Sequence, residues 1–578
     1  MTAARTAQEV AEALEQVAAL MEFAGENPYR ARAYQRGAQA VRGLGGELGQ
    51  RLQQGTLTEL PGIGKGLQAV IQVLAAGGEP ASLTALKQHT PPGVLEVARL
   101  KGVGARKARL LHDALGIAGL KDLEAAARDG RLLSVKGFGP RTRDRILDEL
   151  ARARAQTGQC RLDVAFRESE AVRAALATLP LITRSAVAGE ARRGHEVVTR
   201  VVVVAASPAP ELATWSVIDS GRVRAPELTA RGVLRCGTGA GVPGELHVVA
   251  EGDYAAALLF HSSGTGHLLA LRAHSGGLEL TAEGARAPSG PVPFDDEDEI
   301  YRALDLQPVP VELREDGSEV ELARAGALPT LLQLSDLRGS LHNHTLASDG
   351  NDTLADMQAA AAALGLQYLG ISDHSRSAFY ARGLSMDALR EQREQMAGLA
   401  GRGVELLQGV ESDILEDGAL DYPEEFLVEL DYVVASVHSR FRQDAEQMTR
   451  RLCAAARHPF TDVVGHPTGR LVLSREPYAF DLAAVLSAAR EGGCAMELNA
   501  HPNRLDLGAE HLRACRRAGV PVCINSDAHT AEGLSDLRWG VMVARHAGLT
   551  AHDVINTRDA AGIRAWLANR RRGAREMH

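Results

Sequence analysis

Leu341-His342-Asn343-His344, with Ser348-Asp349-Gly350 just behind it, is the stretch from which the fold can be read. It opens a set of metal-ligand residue types spread over roughly the last two-fifths of the chain. The set continues with Asp373-His374, Glu411 in Gly409-Val410-Glu411, His438 in Ser436-Val437-His438, His466 in Gly465-His466-Pro467, and Asp527-Ala528-His529. Position is what binds them. His374 follows the apolar run Tyr368-Leu369-Gly370-Ile371, Glu411 follows residues 404–410, His438 follows 432–437, His466 follows Val463-Val464, and Asp527 closes 520–526. Each sits where a short buried strand runs out.

Between these runs, residues 354–364, 388–400 and 445–456 carry helical periodicity. Strand and helix alternating at this spacing predict a parallel α/β sheet closed into a barrel. In such a barrel the C-terminal strand ends meet on one face, so ligands far apart in the chain converge there. Imidazoles suit Zn or Mn, and carboxylates harden the site and can bridge two ions.

The pattern resembles the PHP (polymerase and histidinol phosphatase) domain, a trinuclear phosphoesterase on a distorted (β/α)7 barrel. All nine ligand positions of that family are filled. The resemblance implies one ion on His342, His344, Glu411 and Asp527, a second on bridging Glu411 with His438 and His466, and a third on Asp349, His374 and His529. It implies two to three Mn or Zn ions, no organic cofactor, and catalytic roles for Glu411, Asp527 and Asp373. Asp373 is expected to orient His374 or a bound water.

At 578 residues the chain is too long for one core. No apolar run is long enough to span a bilayer, and residues 1–21 are charged and amphipathic, unlike a signal peptide. Six cysteines (Cys160, Cys236, Cys453, Cys494, Cys515, Cys523) show no C-x-x-C spacing, so buried free thiols in a reducing cytoplasm are expected. The net charge of -9, taken whole, argues against nucleic acid, but its distribution points the other way. Residues 1–150 hold 20 basic and 16 acidic residues, and the excess lies wholly in 101–150, with 11 against 7.

That N-terminal region repeats one pattern three times: Leu60-Pro61-Gly62-Ile63-Gly64-Lys65, Leu100-Lys101-Gly102-Val103-Gly104-Ala105 and Val135-Lys136-Gly137-Phe138-Gly139-Pro140. Each leads into a helical run, and together they resemble helix-hairpin-helix motifs. Paired glycines let the backbone approach closely, and free N–H groups at the next helix start receive a phosphate oxygen. Lys65, Arg106, Lys107, Arg141 and Arg143 add charge. Such contacts position DNA without reading its bases. Asn27-Pro28-Tyr29-Arg30-Ala31-Arg32-Ala33-Tyr34 resembles the helix entry in the small domain of family X DNA polymerases, which implies that Arg30 and Tyr34 touch DNA. That family's Schiff-base lysine falls on Val70 here, so no efficient abasic lyase is expected.

The family X resemblance continues through Gly189-Glu190-Ala191-Arg192-Arg193, similar to the family's glycine-serine turn. The next strand, expected over 196–204, should hold two metal-binding aspartates, and these positions are Arg200 and Val202. A third carboxylate falls on Glu245. One carboxylate in place of three should not hold two ions for nucleotidyl transfer. Arg200 is read as a solvent-facing strand residue. Asp295-Asp296-Glu297-Asp298-Glu299 reads as a solvated loop before a helix, and 308–326 as irregular.

The fold class expected is multidomain: an all-α hairpin region, an α+β palm and thumb, and a PHP barrel. The divisions are 1–85 and 86–155 (helical, DNA-binding), 156–250 (degenerate palm), 251–315 (thumb-like), 316–336 (linker) and 337–578 (barrel). The expected function is repair-type binding of gapped DNA or 3′ ends without sequence specificity, with 3′→5′ exonuclease or related phosphoesterase activity. The alternatives are an active Mn-dependent gap-filling polymerase, a non-catalytic DNA-binding scaffold, and a small-molecule phosphatase, against which the hairpins argue. No membrane partner is expected.

Overall fold

The computed structural model describes the chain apart from residues 1–6, 43, 45–47, 61, 89, 101, 231, 402 and 576–578, and apart from the side chains of 8 and 572–575. Pro61 and Lys101 of the first two hairpins, and the start of the amphipathic 1–21 stretch, lie outside the described residues. Two compact units emerge, Met1–Thr157 and Gly158–His578.

The first unit is helical among its described residues. Helix Ala7–Ala24 buries Val10, Leu14, Val17 and Met21, the three- and four-residue spacing of a single helical face. Helix Pro28–Arg42 packs on it through Ala31, Tyr34, Ala38 and Val41. A second apolar core gathers Val97, Val103, Leu111, Leu123, Phe138 and Ile146.

The second unit begins with a mixed five-stranded sheet in the order Arg184–Ala188, Val201–Ser207, Pro243–Ala250, Leu234–Gly237, Arg224–Leu228. Strand Val201–Ser207 is buried throughout, which explains its unbroken apolar sequence. The single strand expected over 196–204 is interrupted instead. Glu190 takes both the N–H (2.6 Å) and the hydroxyl (2.9 Å) of Thr199, separating Val197–Val198 from Val201–Ser207.

The thumb-like part holds helices Tyr254–His261 and Thr265–His274, a small antiparallel sheet, and helix Glu297–Ala303. Two expectations need correction here. The acidic run 295–299 is only partly solvated: Asp296 caps the helix by accepting from Glu299 N–H (2.8 Å), but Glu297 is buried against Arg192 and Arg314, 2.5 Å from each. Residues 308–326 are not irregular either. Helix Ser318–Arg324 lies within them and sends Val320 and Ala323 into the thumb core.

The barrel is parallel throughout. Gly339–Ser340, Tyr368–Ile371 and Glu405–Gln408 pair in order, and the last resumes beyond Gly409-Val410 as Glu411–Asp413. Val434–Ser436, Val463–Val464, Ala495–Asn499 and Val522–Asn525 follow in turn. Bridges Asn343↔Ala528 and His374↔Glu411 join the first strand to the last and close the gap beside the interruption. With the interrupted strand taken once, this is a distorted seven-stranded barrel.

Capping boxes at Thr353/Asp356 and Asp444/Gln447 start helices Leu354–Ala363 and Ala445–Arg457. Helix Ala560–Arg575 closes the N-terminal end, where buried Arg571 pairs with Asp462 (2.6 Å) and donates to the Leu430 carbonyl (2.7 Å). The opposite end is left for the functional residues. All six cysteines are buried and unpaired.

Candidate metal centre

The nine histidines and carboxylates singled out in the sequence meet at the C-terminal ends of the barrel strands. Glu411 stands at the middle, its residue 1 % exposed. Its Oε1 lies 2.9 Å from His466 Nε2, 3.1 Å from His438 Nε2 and 3.3 Å from His342 Nε2. Its Oε2 lies 2.9 Å from His374 Nδ1 and 3.7 Å from His344 Nε2. Asp527 Oδ1 is 3.2 Å from His344 Nε2 and 3.6 Å from His342 Nε2. On the outer side, Asp349 Oδ2 faces His529 Nε2 (3.3 Å) and His374 Nε2 (3.5 Å).

Sharp turns put these groups there. His466 and Asp527 adopt left-handed backbone angles, φ +25° and +51°, unusual outside glycine. Such conformations persist where the surroundings over-determine them, and they cluster at functional sites.

The donor set fits divalent cations. His342 Nε2, both nitrogens of His344 and His374 Nδ1 are buried with no hydrogen-bond partner. Buried polar atoms are rarely left that way unless something outside the protein satisfies them. Other ring nitrogens are committed, which fixes the tautomer and aims the free nitrogen inward. Glu497 holds His342 Nδ1 (2.7 Å), Asp413 holds His438 Nδ1 (2.6 Å), and the Asp527 carbonyl holds His529 Nδ1 (2.9 Å).

Burial pulls these imidazoles toward the neutral form, and neighbouring carboxylates decide which resist. At His342, Glu497, Glu411 and Asp527 overcome burial and hold the ring well above its ordinary range. Burial at His374 is outweighed chiefly by Glu411, which lifts it to about 10. Burial at His529 yields to Asp349 and Asp527, which lift it to about 9. Burial and then Arg504 push His466 down to about 4, and His344, buried and facing His529 and His374, is also lowered. Despite burial, imidazole neighbours hold Glu411 and Asp527 well below the carboxylate range.

Three contributors were not singled out in the sequence. Glu497 is fully buried and also accepts from His466 N–H (2.6 Å) and Asn525 Nδ2 (2.9 Å). Asp413 lies two residues past Glu411 on the same strand. Arg504 Nε reaches Asp527 Oδ2 at 3.2 Å. The readable signal was a carboxylate inside an apolar strand, Ala495-Met496-Glu497-Leu498, where burial requires a partner.

Asp373 needs correction. Its carboxylate is fully buried but takes Thr345 N–H (2.8 Å), Thr345 Oγ1 (2.7 Å), Ser348 Oγ (2.5 Å) and Gln392 Nε2 (2.6 Å), not the His374 ring. Those bonds saturate it, so it braces the loop between His344 and Asp349.

Comparison with known proteins agrees with this geometry. Residues 5–80 match a helix-hairpin-helix domain model, 94–152 a SAM-like helix-hairpin-helix tandem, and 340–501 the PHP domain. A DNA polymerase/3′-5′ exonuclease PolX of Bacillus subtilis (strain 168) is 31% identical over 564 residues, covering 96% of this chain and 98% of the relative. The chain belongs to the bacterial PolX family. The chain is also similar to a probable phosphatase of Thermoanaerobacter sp. (strain X514), 30% identical over 255 residues, 40% of this chain and 94% of that protein. No helix among the described residues is long and apolar enough to cross a membrane.

In this PolX chain the palm strands run Val202 beside Glu245. Arg200, just before the strand, is not simply solvent-facing: its Nη1 pairs with Glu245 Oε2 at 3.0 Å. His247 and then, against burial, the Arg200 cation hold Glu245 at about 2.

The hairpin residues sit in the first unit. Gly62, Gly102 and Gly137 have φ of +89°, +86° and +94°, the left-handed turn that favours glycine. Gly64 and Gly139 cap helices Lys65–Ala75 and Pro140–Ala155. Gly104, with φ +68°, begins helix Gly104–Leu115. Lys65, Arg106 and Arg141 are exposed at these helix starts. Lys107 instead donates to the Gly102 carbonyl (2.8 Å). Arg30 is exposed and pairs with Glu26 (3.1 Å), whereas Tyr34, expected on DNA, is 9 % exposed and packs in the core. Helix Pro28–Arg42 turns it inward with Ala31 and Ala38. Val70 lies in helix Lys65–Ala75 against the same core.

Proposed function

We propose that the chain grips DNA through its hairpins and hydrolyses phosphodiesters at 3′ ends in the barrel, acting on gapped or end-bearing DNA without reading sequence. The observation that carries this is the meeting of nine ligand residues, Glu411 at their middle, with imidazole nitrogens left unpartnered. His342, His344, Glu411 and Asp527 would hold one ion, Glu411 with His438 and His466 a second, and Asp349, His374 and His529 a third, as Mn or Zn. When bound, such ions make hydroxide available near neutral pH and offset charge on the leaving oxygen. Glu497 and Asp413 orient His342 and His438, Arg504 shares the charge of Asp527, and Asp373 keeps the His344–Asp349 loop in place. Free N–H groups after Gly64, and the Arg141 N–H beyond Pro140, meet the phosphate backbone together with the Lys65, Arg106 and Arg141 cations.

Structural zinc prefers closed, sulfur-rich tetrahedral sites, so this mixed set supports catalysis over a scaffold role. The hairpins favour DNA over a small phosphate ester.

The name of the Bacillus relative also includes a polymerase activity, and that second reading meets a specific obstacle. Where the family resemblance places aspartates stand Arg200 and Val202, and Arg200 already neutralises Glu245. A fixed guanidinium opposes a divalent cation at that place. Arg192 and Arg193 of the adjoining turn are tied to Glu297 (2.5 Å) and Glu315 (2.6 Å). We therefore assign little or no nucleotidyl transfer to the palm.

The test is degradation of gapped DNA after chelation and return of Mn²⁺. His344→Ala and Asp527→Ala should each abolish cleavage while DNA binding persists. Wild-type rates in either variant would end this assignment.

A further inference from the structure

The loop leaving His374 inverts the usual pattern of burial. Ala378 and Ala381 are 0 and 1 % exposed, while Phe379 and Tyr380 between them are 87 and 69 % exposed. Hiding large rings is normally favourable, so a loop that buries alanines and shows aromatics carries a cost that function must explain.

The display is firmly held. Ser377 donates its N–H to Asp421 (2.7 Å) and its hydroxyl to Asp413 (2.8 Å), the same carboxylate that holds His438. Gly383 N–H returns to the Ala378 carbonyl (3.1 Å), and a Cβ at Gly383 would collide with the Ser375 carbonyl oxygen. Only glycine lets the loop close that tightly. Tyr380 stands at the rim of the metal centre, with its neighbour Phe379 exposed beside it: the Tyr380 centroid is 6.0 Å from that of His374 and 6.3 Å from that of His438, edge-on to both.

We propose that Phe379 and Tyr380 are a stacking platform for the base of the 3′-terminal nucleotide, holding an unpaired DNA end with its phosphodiester over the nine ligands. This deepens, and rests on, the phosphoesterase reading above. Every base has a π-face, so stacking tolerates any sequence, in keeping with hairpins that touch only backbone. A paired base is engaged in its own stack and must be freed first, so the platform selects frayed or single-stranded ends. Tyr380 touches both imidazoles edge-on, so a base stacked on the outer face of the platform lies next to the ligands.

The test uses the metal-loaded full chain on single-stranded 3′ ends that carry a normal terminal base or an abasic tetrahydrofuran in its place. The wild-type KM for the base-bearing end should be about 5–150-fold below that for the abasic end, the range that one stacked base supplies. Phe379→Ala with Tyr380→Ala should raise the first KM to the second, so that the preference for the base-bearing end disappears. Phe379→Trp with Tyr380→Phe should restore the preference. A readout free of cleavage is 2-aminopurine at a phosphorothioate-protected 3′ terminus, quenched on binding by the wild type and not by the double alanine variant. Equal KM values for the two ends in the wild type, or a preference and quenching that survive the alanine pair, would overturn the platform. If the wild type cleaves neither end, the phosphoesterase reading fails, and the fluorescence arm still decides the platform.

Discussion

Glu497→Gln separates a positioning carboxylate from an ordinary buried one. The wild-type oxygens receive His342 Nδ1 (2.7 Å) and Asn525 Nδ2 (2.9 Å) on one side, and His466 N–H (2.6 Å) and Asn499 Nδ2 (3.3 Å) on the other. An amide keeps the shape but turns one oxygen into a donor, which must then face donors on whichever side it points. His342 also loses the anion that fixes its tautomer and keeps Nε2 free. A hydrogen bond to a charged partner contributes about 1.5–3 kcal/mol. Carboxylates behind metal-ligating histidines typically alter metal affinity or activity by about 10–100-fold, a matching range. Chelator competition with Mn²⁺ or Zn²⁺ should show that weakening, and exonuclease rate at fixed free metal should fall in parallel. Affinity and rate both within about twofold of wild type would refute the role given to Glu497.

Other outcomes follow from the same geometry. Lys65→Ala, Arg106→Ala and Arg141→Ala together should weaken DNA binding alike for all sequences and lower the salt-dependence slope by roughly 3; an unchanged slope would show that these cations do not meet phosphates. In metal-free protein His374 (about 10) and His529 (about 9) lie above the ordinary imidazole value of 6.5. The stabilisation from their carboxylate partners is therefore complete below that value and lost as pH rises through 9 to 10, so the melting temperature of chelated protein should fall across that window, and a rise there would contradict the shifts. Primer extension with Mn²⁺ should remain at background in wild type and in Glu245→Ala alike, and templated synthesis sensitive to Glu245 would restore the polymerase reading.

The ligand set was legible because most of its residues follow closely on an apolar run, a pattern that survives without knowledge of contacts. Barrel helices were equally plain, since 354–364 and 445–456 carry both periodicity and capping chemistry. What escaped depended on partners distant in sequence. Glu297 looked solvated until Arg192 and Arg314 folded over it. Tyr34 was placed on DNA by the family X resemblance of residues 27–34, and only packing on Ala7–Ala24 sets its buried face. Asp373, beside His374, invited a ligand-orienting role, but the turn after the strand sends its carboxylate to Thr345 and Ser348. Exposure of Phe379 and Tyr380 is set by the buried alanines on either side, which no periodicity announces.

The most direct check is the number of divalent ions held per chain after reloading with Mn²⁺ or Zn²⁺, in wild type and in Asp527→Ala. Two or three ions in the parent and fewer in the variant are predicted. No tightly held ion in the wild type, or an undiminished number in the variant, would contradict the shared site at Glu411.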